Sequence, residues 1–253
     1  MIPAALNVVF WFLASFLPFL FVQRWIHREI QTIFLLLTKN SAVSLGLFSL
    51  LFFPGVLLHE TSHFLTAKLL RVQTGHFSII PQLTADGRLR LGYVETEKAD
   101  LIREALIGAA PLLTGGAAII YLGTHNLGGL ALSEAVSQQA WGALLPALKT
   151  MTRQPDFWIW FYLAFTISST MIPSESDRKA WFPISGILVV IGLIAVFAGA
   201  GGWMSDHLVP WITSAFSTLT AIFGISLFVH LILAIPTWLI RVGINRITGL
   251  EVV

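Results

Sequence analysis

Six stretches of this chain, near 4–22, 42–70, 104–122, 156–174, 183–203 and 211–240, stay apolar over about 20 residues or more, the length at which a helix crosses the ~30 Å hydrocarbon core of a bilayer. Residues 183–203 contain no Asp, Glu, Lys or Arg. Lipid offers no hydrogen-bonding partner to a backbone, so segments of this kind pair their own N–H and C=O groups as helices. Composition excludes the soluble alternative. Hydrophobic residues make up 56% of the chain and charged residues 11%, with a mean hydropathy of +0.80, whereas a soluble domain covers its surface with roughly 25% charged residues. The sequence predicts an all-α polytopic membrane protein of about six transmembrane helices, a single integral membrane domain over 1–253 whose main solvent is the lipid bilayer. The net charge of +2 is too small a surplus for a nucleic-acid partner. Cysteine is absent, so disulfides, thiolate metal sites and thiol nucleophiles are excluded.

The first stretch has no Lys or Arg before Arg24 and no small-residue cleavage site after it, so it reads as a retained span. The second is too long for one perpendicular crossing and carries Pro54-Gly55 in its middle. It is either one tilted, kinked helix or a hairpin broken there. With 71–103 and 175–182 on one side, Lys68, Arg71, Arg88, Arg90, Lys98, Arg103, Arg178, Lys179, Arg241 and Arg246, ten of the fifteen basic residues, fall on that side, which the positive-inside rule makes cytoplasmic, and Lys149 and Arg153 on the other. The side of the N-terminus stays open. Between the second and third spans, Phe77, Ile79 and Leu83 precede Asp86-Gly87, and Leu89, Leu91 and Tyr93 alternate after it, predicting a small β-hairpin over 76–97. Leu132, Val136, Trp141, Leu145 and Leu148 recur at helical spacing and predict an amphipathic surface helix over 131–148.

Chemistry concentrates in Leu58-His59-Glu60-Thr61-Ser62-His63-Phe64, an H-E-x-x-H string within an apolar helical run. On a helix His59 and His63 lie one turn apart on one face, so both imidazoles can reach one Zn²⁺ at ~2.0–2.1 Å. Glu60 is rotated away from that face and is the candidate general base. Ionisable groups at membrane depth are costly and usually functional. A third ligand has to lie at the same depth, at or near a span end. Glu175 and Asp177, in Pro173-Ser174-Glu175-Ser176-Asp177-Arg178, end the fourth span on the same side as His63. His27, His76, His125, His207 and His230 read as structural, Glu104 as a dipole partner at the start of the third span, and Gly115-Gly116 as a close helix contact.

With these motifs in hand, the chain resembles the site-2 protease family of intramembrane zinc metalloproteases, over roughly residues 55–180. The resemblance implies one Zn²⁺ per chain on His59, His63 and Asp177, with Glu60 as the catalytic base and Pro173 breaking the helix so that Asp177 turns inward. Gly108-Ala109-Ala110-Pro111-Leu112 is similar to the stretch that opens the family's middle core helix, and the hairpin falls where the family has a β element near the site. Two features depart from the pattern. Ser168, Ser169 and Thr170 stand where an Asn precedes the Pro, and Arg178 stands where a Gly follows the Asp. The chain looks like a compact, divergent member, with a catalytic core over about 42–182 and extra helices in 1–41 and 183–253.

These readings predict a zinc metalloendopeptidase that hydrolyses peptide bonds of transmembrane protein substrates, in a cell membrane, with its active site toward the cytoplasm. Leu89, Leu91 and Tyr93 are candidate substrate contacts, because an unwound substrate strand can add to a hairpin edge, and the resemblance adds Ser169 and Thr170, which stand near the position of the family's Asn. The alternatives are a non-catalytic metal-binding scaffold or transporter, and a membrane metalloprotease of the prenyl-protein type with Glu175 as the last ligand. The choice between Glu175 and Asp177 separates the two zinc readings.

Overall fold

The computed structural model describes residues 4–83, 89–129 and 140–249. It is all-α, with four helical stretches long and apolar enough to cross a membrane: Leu6–Thr38, Ser41–Leu69, Leu101–Asn126 and Trp181–Thr248. Helix α1 (Ala4–Thr38) does not stop before Arg24 as the hydropathy predicts. Phe19, Ile26, Ile30 and Ile33 are buried along one face, so the segment after residue 22 continues as an amphipathic helix whose polar side carries Arg24 and Arg28. A tight turn with Lys39 at φ 51° and Asn40 accepting from the Ala42 and Val43 N–H groups reverses the chain into α2 (Ser41–Leu69).

Helix α2 runs unbroken through Pro54, which decides against the hairpin. Proline disturbs the turn before it, and here the Tyr162 hydroxyl donates to the Leu51 carbonyl in that turn at 2.9 Å. This bond ties α2 to a neighbouring helix one turn before the proline.

Strand β1 (Thr74–Ser78) pairs antiparallel with β4 (Tyr93–Thr96), Ser78 opposite Tyr93, and β2 (Gln82–Leu83) pairs with β3 (Leu89–Arg90). The hairpin between the second and third helices is therefore present, while its predicted Asp86-Gly87 turn lies outside the described residues. It rests on α2, with Phe77 edge-on to Phe64 at 5.8 Å. Helix α3 (Leu101–Tyr121) starts at an Asp100 cap, which accepts from Ile102 and Arg103 N–H, while Glu104 accepts from Ala99 N–H. A π-helical turn, Leu122–Asn126, extends it. Of the predicted surface helix, residues 131–139 lie outside the described residues, and α4 (Trp141–Thr152) forms just beyond them.

Helix α5 (Phe157–Thr170) has 14 residues, about 21 Å, shorter than the apolar stretch 156–174, because Pro173 bars the preceding backbone from continuing the helix. The stretches 183–203 and 211–240 fall on two successive helices that meet at a kink. Helix α6 (Trp181–Ala195) leads through a π-helical turn at Val196–Ala200 into α7 (Gly201–Thr248), and the run departs from helical geometry at Gly199, φ 87°. Pro210 and Pro236 are both accommodated inside α7.

Helix directions follow from the contacts. Leu51 meets Tyr162 and His59 meets Thr170, so α2 and α5 run parallel. Phe12 meets Phe216, Phe19 meets His230 and Glu29 pairs with Arg241, so α1 and α7 also run parallel. The core lies between these helices and α3, with Phe19, Phe52, Ile119, Phe161, Phe165, Phe223 and Val229 among its buried members. The packing brings the ends of α2 and α5 and the start of α3 together. Reporters inserted after Lys98 and after Lys179 should therefore read the same side of the membrane, and one after Gly128 the other; opposite readings at the first two positions would break this arrangement.

Candidate metal centre

His59 and His63 project from one face of α2, as their spacing predicts, and their Nε2 atoms lie 3.2 Å apart. The Asp177 carboxylate meets them from the segment after α5, with Oδ1 3.5 Å from His63 Nε2 and Oδ2 4.0 Å from His59 Nε2. All three ligand atoms fall within 4.8 Å of one another, so the group could hold a metal ion. A tetrahedral ion with ligands at ~2.0–2.1 Å spaces them about 3.3 Å apart, close to what is found. Both imidazoles are oriented by backbone: His59 Nδ1–H donates to the Thr170 carbonyl at 2.6 Å, and His63 Nδ1–H to the Ile107 carbonyl at 2.8 Å. With Nδ1 carrying the proton in each ring, both Nε2 atoms are acceptors. Two acceptor nitrogens and a carboxylate oxygen converge, an arrangement that calls for a cation among them. A nitrogen, nitrogen, oxygen donor set with no sulfur fits zinc.

The carboxylate is fixed from behind. Asp177 Oδ2 accepts from Ser174 N–H at 2.7 Å and from the Ser174 hydroxyl at 2.6 Å. Burial opposes its ionisation, and the two hydrogen bonds from Ser174 favour the charged form. Gly108 on α3 is pressed against the Asp177 peptide carbonyl so closely that any side chain there would collide with it. Glu175 is exposed and stands outside the His59, His63 and Asp177 group. Between the two carboxylates, the geometry selects Asp177.

A cavity of about 610 Å³ opens beside the group, lined among others by His59, Glu60, His63 and Asp177, by Leu91, Gly92, Tyr93 and Val94, and by Ser169 and Thr170. Glu60 is buried in its wall. A Cβ on Gly92 would lie 2.8 Å from Glu60 Cγ, so the hairpin can close over Glu60 only because residue 92 has no side chain. Leu91, Tyr93, Ser169 and Thr170 line the cavity, and Leu89 is placed by its backbone in β3, opposite Leu83. The two hydroxyls are already engaged, however. Ser169 Oγ lies 3.0 Å from His230 Nε2, and Thr170 Oγ1–H donates to the Thr166 carbonyl.

Three residues read as structural or passed over in the sequence prove to adjoin the site. Gln23 donates from α1 to the Ser169 carbonyl at 2.5 Å, next to the carbonyl that orients His59. His230 on α7 holds the Ser169 side chain. His27, expected near a span end, stands well inside α1 and lines the cavity. The signal available was the four-residue spacing of Gln23 and His27 beside Phe19, Ile26 and Ile30, a helical face hidden by ending the first span at residue 22. His27, His76, His125, His207 and His230 lie outside the metal-binding group among the described residues. Comparison with protein-family models, with curated proteins and with solved structures gave no match to this chain.

Proposed function

We propose that this protein is an intramembrane zinc metalloendopeptidase, a compact form of the site-2 protease type, hydrolysing peptide bonds of membrane-spanning proteins. The observation that carries the reading is the convergence of His59, His63 and Asp177 beside a buried Glu60 in one cavity among apolar helices. A structural zinc site is closed by four protein ligands, whereas a catalytic one keeps a position open; three converge here among the described residues. When bound, zinc supplies Lewis-acid activation of water and of a peptide carbonyl. The chain's own residues do the rest. Glu60 accepts the proton of the attacking water and returns it to the leaving amine. His59 and His63 are kept in one tautomer by the Thr170 and Ile107 carbonyls, and Ser174 keeps Asp177 ionised and turned inward.

A transmembrane substrate hides its scissile carbonyl in an i to i−4 bond and has to unwind before attack. The hairpin residues Leu91 to Val94 on the cavity wall offer an edge along which an unwound stretch can lie. The lysines and arginines around the site end of the bundle, Arg71, Lys98, Arg103, Arg178 and Lys179, favour a multi-pass orientation in the cell membrane with this end cytoplasmic.

The test uses the full chain, zinc-loaded, in phosphatidylcholine–phosphatidylglycerol vesicles with synthetic single-span peptides. Peptides with a central Gly-Pro pair should be cut within the apolar stretch, faster than uninterrupted polyleucine helices. A chelator should stop the reaction, and added zinc should restore it. Intact peptides under all these conditions would favour a metal-binding scaffold.

A further inference from the structure

Most polar groups at the inner end of the catalytic cavity are engaged by protein partners: Ser169 by His230, Thr170 by Thr166, and the Nδ1 atoms of His59 and His63 by backbone carbonyls. His27 differs. It lines the same cavity, and its Nε2 is buried without a hydrogen-bond partner among the described residues. The ring is set edge-on against Phe52 at 4.7 Å and Phe48 at 5.6 Å, which fixes its plane and supplies no acceptor or donor. A buried polar atom left unpaired is costly, so one that faces a cavity is a place where an occupant of that cavity gains by supplying the partner.

Position tells what would pair with it. His27 faces Phe52, seven residues before His59 on α2, and seven residues at 1.5 Å each place it roughly 10 Å along the helix from the metal ligands, toward the membrane interior. An extended peptide advances about 3.3 Å per residue, so the side chain arriving at His27 belongs to a residue about three positions from the bond being cut. Helix α1 packs mainly on α2 and α7, while the hairpin packs on α2. His27 and the hairpin residues Leu91 to Val94 line one cavity, so a peptide laid along the hairpin can present a side chain to His27.

We infer that His27 forms the inner end of a substrate subsite and selects a hydroxyl- or amide-bearing side chain, Ser, Thr or Asn, about three residues from the scissile bond. This deepens the peptidase reading, since it supposes that the cavity takes a peptide. A hydroxyl can either donate to or accept from Nε2, and an apolar residue in its place leaves that nitrogen unpaired in a low-dielectric site. Selection by hydrogen bonding of this kind is stronger than selection by one methyl group of size.

The full zinc-loaded chain, in the same vesicles, is offered polyleucine single-span peptides with a central Gly-Pro pair and one guest residue, Thr or its near-isostere Val, placed in turn at each position up to four residues on either side of the cut. Hydrolysis and binding of fluorophore-labelled peptides are both measured. At one guest position the Thr peptide should be cut and bound about tenfold better than the Val peptide. That ratio should fall to near one in His27→Leu and be kept in part by His27→Gln, with zinc content equal in all three proteins. Binding that prefers Thr through His27 in a wild type that cuts no peptide would retain the subsite and overturn the peptidase. Equal handling of Thr and Val at every position, or a preference that survives His27→Leu, overturns the subsite.

Discussion

Glu60→Gln should keep about one zinc per chain and a wild-type unfolding temperature while peptidase activity falls by about 10²–10⁴-fold, the typical loss on removing a general base. The substitution separates two roles that sit on adjacent residues. His59 and His63 point at the metal position, whereas Glu60 belongs to the cavity wall and is outside the group of converging ligand atoms. Glutamine preserves the shape beneath Gly92, where a bulkier residue would push the hairpin away. It retains hydrogen-bonding capacity but cannot accept a proton from water. Turnover of a single-span peptide, zinc by mass spectrometry and thermal unfolding together check the expectation. Substrate should also remain bound, so the variant can trap a natural membrane partner by crosslinking. A Glu60→Gln protein as active as the wild type would remove hydrolysis from the functions open to this chain.

Ligand removal should act on the metal first and on activity only as a consequence. Each of His59→Ala, His63→Ala and Asp177→Ala should weaken zinc binding by more than the 10–100-fold typical of losing an outer partner of a ligand. Glu175→Ala, at an exposed position beyond the group, should retain full zinc. Ser174→Ala removes one of the two hydrogen bonds that turn Asp177 inward and should fall between these limits. Titration of the purified, metal-stripped proteins with zinc orders the five variants. Loss of zinc in Glu175→Ala with retention in Asp177→Ala would reassign the third ligand.

The sequence by itself pointed to lipid as the solvent and to half of the candidate metal centre. Twenty-residue apolar runs with 11% charge overall leave no soluble fold, and His59 and His63 share a face because helix geometry fixes the direction of residues four apart whatever surrounds them. The hairpin between α2 and α3 was legible for the same reason, since strand alternation around a tight turn is local. Tertiary structure decided whatever depended on contacts between distant segments. Pro54 could have ended a helix, and Tyr162 on α5 supplies the hydrogen bond beside it in α2. Glu175 and Asp177, two residues apart, are equivalent to any local rule. Ser174 hydrogen bonding and the close approach of α3 at Gly108 bring Asp177 to the histidines. Gln23, His27 and His230 come from helices that the motif does not include, and they reach the site only because α1 continues past Arg24 and packs parallel to α7. Periodicity within one helix fixes which residues share a face. Which faces meet, and which of two neighbouring carboxylates turns inward, is set by how separate segments pack against one another, and one-dimensional spacing carries no record of it.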